Sequence, residues 1–479
     1  MRVLLTTEGT YPFFGGGVST WADALVTGLP QHAFTVAAIV PNPHVRPRYQ
    51  APANTRVLPV PLWGAERVEE YIDGRSGGAV RSTTRAAIRR GFLPALDELV
   101  GELLIARANA ETIGRCLGAL AAFCVDHDLR TAFRDERVWS VVLGRLSSHP
   151  LYRHAPMDGA LDLARSLYRY LMPLALPVAQ VDVAHSSAAA FCALPALAAK
   201  LRDGVPLVLT EHGVYLRERV LQLLRDRTPT LRKILFSNLY RGVVRAAYDH
   251  ADIIVPVCSY NTRWEQRLAG QSAGRIRVIH NGVDSKRFSY APPATARPTV
   301  AFVGRIDPLK DVLSLITAAE IVRERVPDVL FRLYGADSEE GYGRRCREAV
   351  ATAGLQGTVR FEGRTADTPA AYRNSDVVAL SSISEGFPFT VVEAMMSGRP
   401  VVGTAVGGVP EALGDPGLLV PPRDPRALGD ALCQVLLRAP SERTALGAAL
   451  RSRATTKFSR DRFLTGYDAL YEGAHGRRR

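Results

Sequence analysis

A chain of 479 residues is longer than one ordinary domain and has room for two α/β domains with insertions. Its 47% hydrophobic and 22% charged content excludes a disordered polymer. A net charge of +13 would suit phosphates, nucleic acid or an anionic membrane face, but the arginines are dispersed and no basic stripe interleaves with aromatics, so nucleic-acid binding is not expected.

The first strand is read at Val3–Thr6, straight after Met1-Arg2 and without the apolar core of an export signal. Gly15-Gly16-Gly17 and a helix over Ser19–Leu29 follow, then strands at Phe34–Val40 and Thr55–Val60, which open a parallel α/β sheet. From about 63 to 180 the strand rhythm stops. Leu96, Leu99, Val100, Leu103 and Leu104 recur at helical spacing and predict a helical insertion, opened by a mobile loop over Asp73–Gly78. Strands resume at Val181–His185, Leu207–Thr210, Ile253–Val257 and Arg277–Ile279. The Pro- and Ala-rich Ala291–Pro298 reads as a linker. A second α/β unit runs from Thr299–Val303 through Leu330–Tyr334, Val359–Phe361, Val377–Leu380 and Pro400–Gly403. The expected domains are therefore 1–285, with the insertion at 63–180, then 286–460, then a C-terminal helix and basic tail over 461–479 that returns to the first domain.

No apolar run reaches spanning length; the richest, Leu171 to Ala199, is broken by Pro173, Pro177, Asp182, His185 and Pro195. Six scattered cysteines form no Cys-x-x-Cys pair and have no histidine at ligand spacing. Free thiols, no metal site and a cytoplasmic location are expected.

Four constellations carry chemistry. Gly15-Gly16-Gly17 lies between a strand and its helix, where close backbone approach and exposed N–H groups favour an anion, although any tight turn may use glycine. Gly304-Arg305 with Lys310 follows the first strand of the second unit, at the end of the sheet where ligands bind. Arginine offers a fork and lysine a point charge to a diphosphate; two solvated surface cations would show the same spacing. Ser384-Glu385-Gly386-Phe387-Pro388 with Glu393 places one carboxylate in a loop and one in the following helix, and a carboxylate accepts from two vicinal hydroxyls. Thr210-Glu211-His212-Gly213 closes a strand of the first half and sets His212 beside a flexible glycine.

Together with Gly407-Gly408-Val409-Pro410-Glu411 and Leu419-Val420-Pro421-Pro422, the motifs of the second unit resemble family 4 of the retaining glycosyltransferases. Thr7-Glu8-Gly9-Thr10-Tyr11-Pro12, Gly15–Ser19, Thr210–Tyr215 and Arg217-Glu218-Arg219 are similar to the branch containing the cytoplasmic glycosyltransferase of Pel exopolysaccharide synthesis, and Asp311, where most of the family has glycine, agrees with it. The resemblance implies a GT-B fold, two Rossmann-like domains facing across a cleft. It implies that Arg305 and Lys310 bind the donor diphosphate, that Glu393 holds the ribose hydroxyls and Glu385 those of the transferred sugar, and that His212 sits by the anomeric carbon. Gly16, Gly17, Gly304, Gly386, Phe387 and Pro388 would line the donor or acceptor. Cations would replace a metal, so no cofactor is expected. The expected substrates are a nucleotide sugar, foremost UDP-glucose, and a carbohydrate or glycoconjugate acceptor, with a membrane-bound polysaccharide synthesis partner and peripheral attachment at the inner membrane face. GDP-mannose or UDP-N-acetylglucosamine as donor, a non-catalytic sugar-nucleotide-binding module and a nucleotide-sugar epimerase are the alternatives.

Overall fold

The computed structural model describes residues 1–479 except 63–82, 106, 155, 177–179, 226–229, 270–273, 291, 293–294, 415–417 and 477–479. The loop expected at Asp73–Gly78 and the basic end of the tail lie outside the described residues. Two compact units form: unit 1 holds Met1–Pro256, Thr262–Val278 and Tyr467–Arg479, and unit 2 holds Val257–Asn261 and Ile279–Gly466.

In unit 1, β-branched and leucine-rich runs buried on both faces build an all-parallel sheet. Its strands are β1 (Arg2–Glu8), β2 (Ala33–Val40), β3 (Thr55–Pro61), β4 (Val183–Ser186), β5 (Leu207–Glu211) and β6 (Ile253–Pro256), in the order β3-β2-β1-β4-β5-β6. Leu5, at the centre, pairs with Val36 on one side and His185 on the other. The strand expected at Arg277–Ile279 does not form. The chain makes one parallel bridge, Ile276 to Ile254, and leaves the sheet, because Val278 is exposed and has no face to cover.

Between β3 and β4 the described residues form helices joined by turns and short coil, with no strand among them. The longer helices are Leu93–Leu103, Ala110–Asp126, Glu136–Ser148 and Met157–Leu171. Asn109 and Asp135 cap two of them, accepting from Thr112 N at 3.2 Å and Arg137 N at 3.0 Å. Leu96, Leu99, Val100, Leu103 and Leu104 are all buried and share one core with the sheet.

Unit 2 repeats the topology with β7 (Thr299–Val303), β8 (Leu330–Tyr334), β9 (Val359–Gly363), β10 (Val377–Leu380), β11 (Val401–Thr404) and β12 (Leu419–Val420). Their order, β12-β11-β10-β7-β8-β9, is that of unit 1 read from the other edge. Both units are doubly wound Rossmann-like sheets, as the sequence predicts, and each has a switch point beside its first strand, at β1/β4 and at β7/β10.

Two buried polar clusters stiffen unit 1. In the first, Trp21 Nε1 donates to Tyr467 OH at 3.2 Å, and that hydroxyl lies 3.2 Å from Thr210 Oγ1. Thr210 Oγ1 is 2.8 Å from His185 Nε2, whose Nδ1 meets Tyr471 OH at 2.7 Å. Tyr467 and Tyr471 come from the helix Arg460–Gly476 and are fully buried, so this helix is bound to the sheet by hydroxyls as well as by rings. In the second cluster Glu211 accepts from Ala189 N at 3.1 Å and from Tyr248 OH at 3.2 Å. Burial, and then the neighbouring Glu265, push its carboxyl well above the ordinary range. Glu265 is fully buried, and neither of its oxygens has a hydrogen-bond partner among the described residues.

Each cluster generates a prediction. Tyr467→Phe strands the indole N–H of Trp21 in the core and should cost about 1–3 kcal/mol in chemical denaturation. An unchanged midpoint would show that the hydroxyl chain does not secure the helix. For Glu265, burial lifts the carboxyl from 4.5 to about 8. Below pH 4.5 both folded and unfolded chains hold the proton; as the pH climbs toward 8 only the unfolded chain releases it, so this group erodes stability as pH rises. Glu265→Gln, permanently neutral, should be more stable than the parent by roughly 2–4 kcal/mol near pH 7.5. Urea titrations at pH ~5 and ~8 test this: the advantage must grow with pH, and an equal effect at both would refute it.

Candidate active site

In unit 2 the loops that end β7 and β10 carry most of the candidate residues. Gly304 leaves β7 with its N–H bonded to Tyr334 O at 2.9 Å, which ties the loop to the end of β8. Arg305 points outward, with a side chain 65% exposed and an ion pair to Asp307 at 3.1 Å. Asp307 itself is buried, and it shapes the loop: Oδ1 accepts from Lys310 N at 3.0 Å and Oδ2 from Ser338 Oγ at 3.3 Å. The chain is thereby turned so that Lys310 reaches across to the β10 loop.

There Lys310 Nζ meets Glu385 Oε1 at 2.5 Å, with the side chains 16% and 9% exposed. Ser382 Oγ donates to the same oxygen at 2.5 Å, and Ser381 Oγ donates to Lys310 O at 2.7 Å. A cation and a carboxylate so far withdrawn from water are each neutralised by the other. Asp311, next in sequence, adopts φ +47°, the left-handed region, and its carboxylate accepts from Ser314 Oγ at 2.7 Å. A side chain there costs about 1–2 kcal/mol.

The backbone at Glu385 is fixed from the far side. Gly407, at φ +53°, lies so close that any side chain would collide with Glu385 O. Gly408 N donates to Gly386 O at 2.7 Å, and Asn281 Nδ2 donates to Phe387 O at 2.8 Å. The ring of Phe387 is 3% exposed and packs with His280 and Phe458 at 4.9 and 5.0 Å, while its backbone lies at the loop. Pro388 is buried and begins the helix Phe389–Met396, which carries Glu393. Burial pushes the Glu393 carboxyl upward, opposed by a 2.8 Å hydrogen bond from Tyr372 OH and by the charge of Arg287. Glu411 accepts from Ser259 N, Ser259 Oγ and His280 Nε2 at 2.7, 2.8 and 2.6 Å. Burial alone would raise its carboxyl, but these bonds outweigh it and hold the group below the ordinary range.

In unit 1, His212 follows β5. Its ring meets Trp21 edge-on at 4.8 Å, and its Nε2 is buried without a hydrogen-bond partner among the described residues. Burial lowers its pKa to about 3, so the imidazole is neutral at physiological pH. Gly16 and Gly17 are exposed at the start of the helix Gly17–Gly28. Gly16, at φ 152° and ψ 176°, occupies backbone space that only glycine enters readily. Sequence reasoning assigned no role to Glu8, which ends β1 and accepts from Cys192 N, Tyr215 OH and Arg219 Nη2 at 3.2, 3.3 and 3.5 Å. Burial outweighs these contacts and raises its carboxyl.

Residues 297–438 match the family model described as glycosyl transferases group 1. Among similar proteins, the D-inositol 3-phosphate glycosyltransferase of Mycobacteroides abscessus is 33% identical over 260 residues, covering 50% of this chain and 55% of its own length. That of Salinispora arenicola is 31% identical over 303 residues, covering 57% and 64%. The chain thus spans between about half and two thirds of the length of these curated relatives. The crystal structure of Anabaena Alr3699/HepE in complex with UDP superposes with a TM-score of 0.61 at 15% identity, covering 99% of this chain and 100% of that one. Sucrose-phosphate synthase from Thermosynechococcus elongatus gives 0.61 at 18% identity, with 98% of each chain covered. At these identities the likeness is one of fold. Residues 1–272, more than half of the chain, match the model described as a domain of unknown function (DUF3492), and the chain belongs to that family, with a glycosyl transferases group 1 domain following in the same polypeptide.

Proposed function

We propose that this protein is a metal-independent retaining glycosyltransferase that moves a hexose from a nucleoside diphosphate sugar to a carbohydrate or glycoconjugate acceptor. The observation that carries the reading is the Lys310–Glu385 pair at the β7/β10 switch point, with Glu393 on the helix that follows, inside the segment that matches glycosyl transferases group 1. A cation for the diphosphate and two carboxylates for hydroxyls then stand within one unit. UDP-glucose is the proposed donor, on the resemblance of the Thr7–Pro12 and Thr210–Tyr215 segments to the Pel branch and in line with the UDP-glucose complex of HepE, which shares the fold. A role in exopolysaccharide synthesis, at the inner face of a membrane, is proposed on the same resemblance. Among the described residues no helix is long and apolar enough to cross a membrane.

In the proposed reaction the bond from the anomeric carbon to the diphosphate breaks, and a bond to the acceptor oxygen forms on the same face. The acceptor proton passes to the departing diphosphate. Lys310 and Arg305 meet the negative charge that develops there, the part a metal would otherwise take. As the phosphate draws Lys310 toward it, Glu385 gains lone pairs for the transferred sugar. His212, being neutral, offers a hydrogen bond to a sugar and no charge.

Three variants and a chelator test this reading by calorimetry with UDP and by hydrolysis of UDP-glucose. Turnover should survive EDTA. Lys310→Ala should abolish turnover and weaken UDP, because a charge-assisted phosphate contact is lost. Glu393→Ala should weaken UDP and UDP-glucose alike, by roughly tenfold or more. Glu385→Ala should lower turnover and leave UDP affinity nearly intact, since UDP has no sugar for it to hold and Lys310 is freed rather than lost. If Glu385→Ala weakened UDP as much as Glu393→Ala in folded proteins, the assigned division of roles would be wrong.

A further inference from the structure

Glu393 does not stand alone on its helix. Its Oε2 accepts from Tyr372 OH at 2.8 Å. Tyr372 lies on the short helix Thr368–Arg373, is fully buried, and is anchored through its own carbonyl, which accepts from Arg399 Nε at 2.9 Å and Ser375 Oγ at 2.8 Å. Arg399 is itself 1% exposed, and its Nη2 also donates to Arg373 O at 3.3 Å, so a buried guanidinium holds the backbone at the end of this helix. The phenol is thus presented to Glu393 from a fixed base. The other groups that act on this pair are Thr390, a hydrogen-bond partner of the phenol one turn before Glu393, and Arg287, whose charge favours the carboxylate.

We infer that Tyr372 is the positioning residue for Glu393: its hydroxyl binds Oε2 and fixes the carboxylate so that Oε1 is presented to the vicinal hydroxyls of a nucleotide ribose. The inference rests on the reading of Glu393 as the ribose ligand. An ionised carboxylate is the stronger acceptor for a diol and keeps both oxygens free to accept, and burial works against that state here. The phenol opposes it with a hydrogen bond that strengthens when the acceptor is charged. Tyr372 therefore sets both the orientation of the group and the pH range over which it binds.

The test compares UDP with 2′,3′-dideoxy-UDP by calorimetry, since only the first carries the diol. Tyr372→Phe should weaken UDP by roughly 5- to 20-fold near pH 7 and leave the dideoxy analogue within about twofold of the parent. The pH at which UDP binding declines on acidification should move upward in the variant. Glu393→Gln should lose the same discrimination between the two nucleotides, and adding Tyr372→Phe to it should change UDP binding no further. Equal weakening of both nucleotides, unchanged UDP binding in the folded variant, or additive losses in the double variant would overturn the positioning role. A parent protein that does not distinguish UDP from its dideoxy analogue would overturn the ribose assignment of Glu393 itself, and this inference with it.

Discussion

The reversal of strand order between β7 and β10 is the constraint on which the candidate site depends. Because the chain winds outward in opposite directions from these neighbours, the connections that leave them part above the sheet. Two loops that would otherwise run side by side face each other instead, and Lys310 on one meets Glu385 on the other at 2.5 Å. Both groups have given up most of their water, so each depends on its partner, and removing either leaves an uncompensated charge. The surrounding contacts serve that meeting. Asp307 turns the β7 loop, Ser382 takes one lone pair of the carboxylate, and the close passage of Gly407 holds the backbone of Glu385 in place.

Unit 1 uses the same winding to a different electrostatic end. At the end of β1, Glu8 is held by a backbone amide, a phenol and a guanidinium, yet burial still raises its carboxyl. At the end of β5, Glu211 keeps company with another buried carboxyl, and His212 is packed against Trp21 as a neutral ring. Desolvation governs this half, whereas ion pairing governs the corresponding loops of unit 2. The two halves share a topology and not a chemistry, as expected when function resides in side chains placed on a scaffold.

Much of this was legible in the sequence wherever a residue's local pattern coincided with its fate in the fold. The buried central strands announced themselves as β-branched and leucine-rich runs, and Leu96 to Leu104 did so as a helical stripe. Lys310, Glu385 and Glu393 were legible because their spacing repeats a family motif. Arg277–Ile279 carries two β-branched residues that suit a strand but lacks a neighbour to cover Val278, a fact of tertiary packing. Asp307 and Tyr372 were missed for the same reason: an aspartate in a loop and a tyrosine in a six-residue helix have no distinguishing spacing, and only the fold shows that one turns Lys310 and the other meets Glu393. For Phe387 the motif shows the position and not the packing: its backbone lies at the loop while its ring belongs to the core.

The closeness of Gly407 to the carbonyl of Glu385 has an evolutionary consequence. A substitution at 385 alters chemistry and leaves the main chain able to follow its path. Any substitution at 407 drives a side chain into that path, at a residue that also needs φ +53°. The two positions therefore answer to different selective pressures, one to reactivity and one to shape. In a descendant of this protein, a glycine kept at 407 beside a changed residue at 385 would be the signature of a lineage that preserved the loop after abandoning its carboxylate.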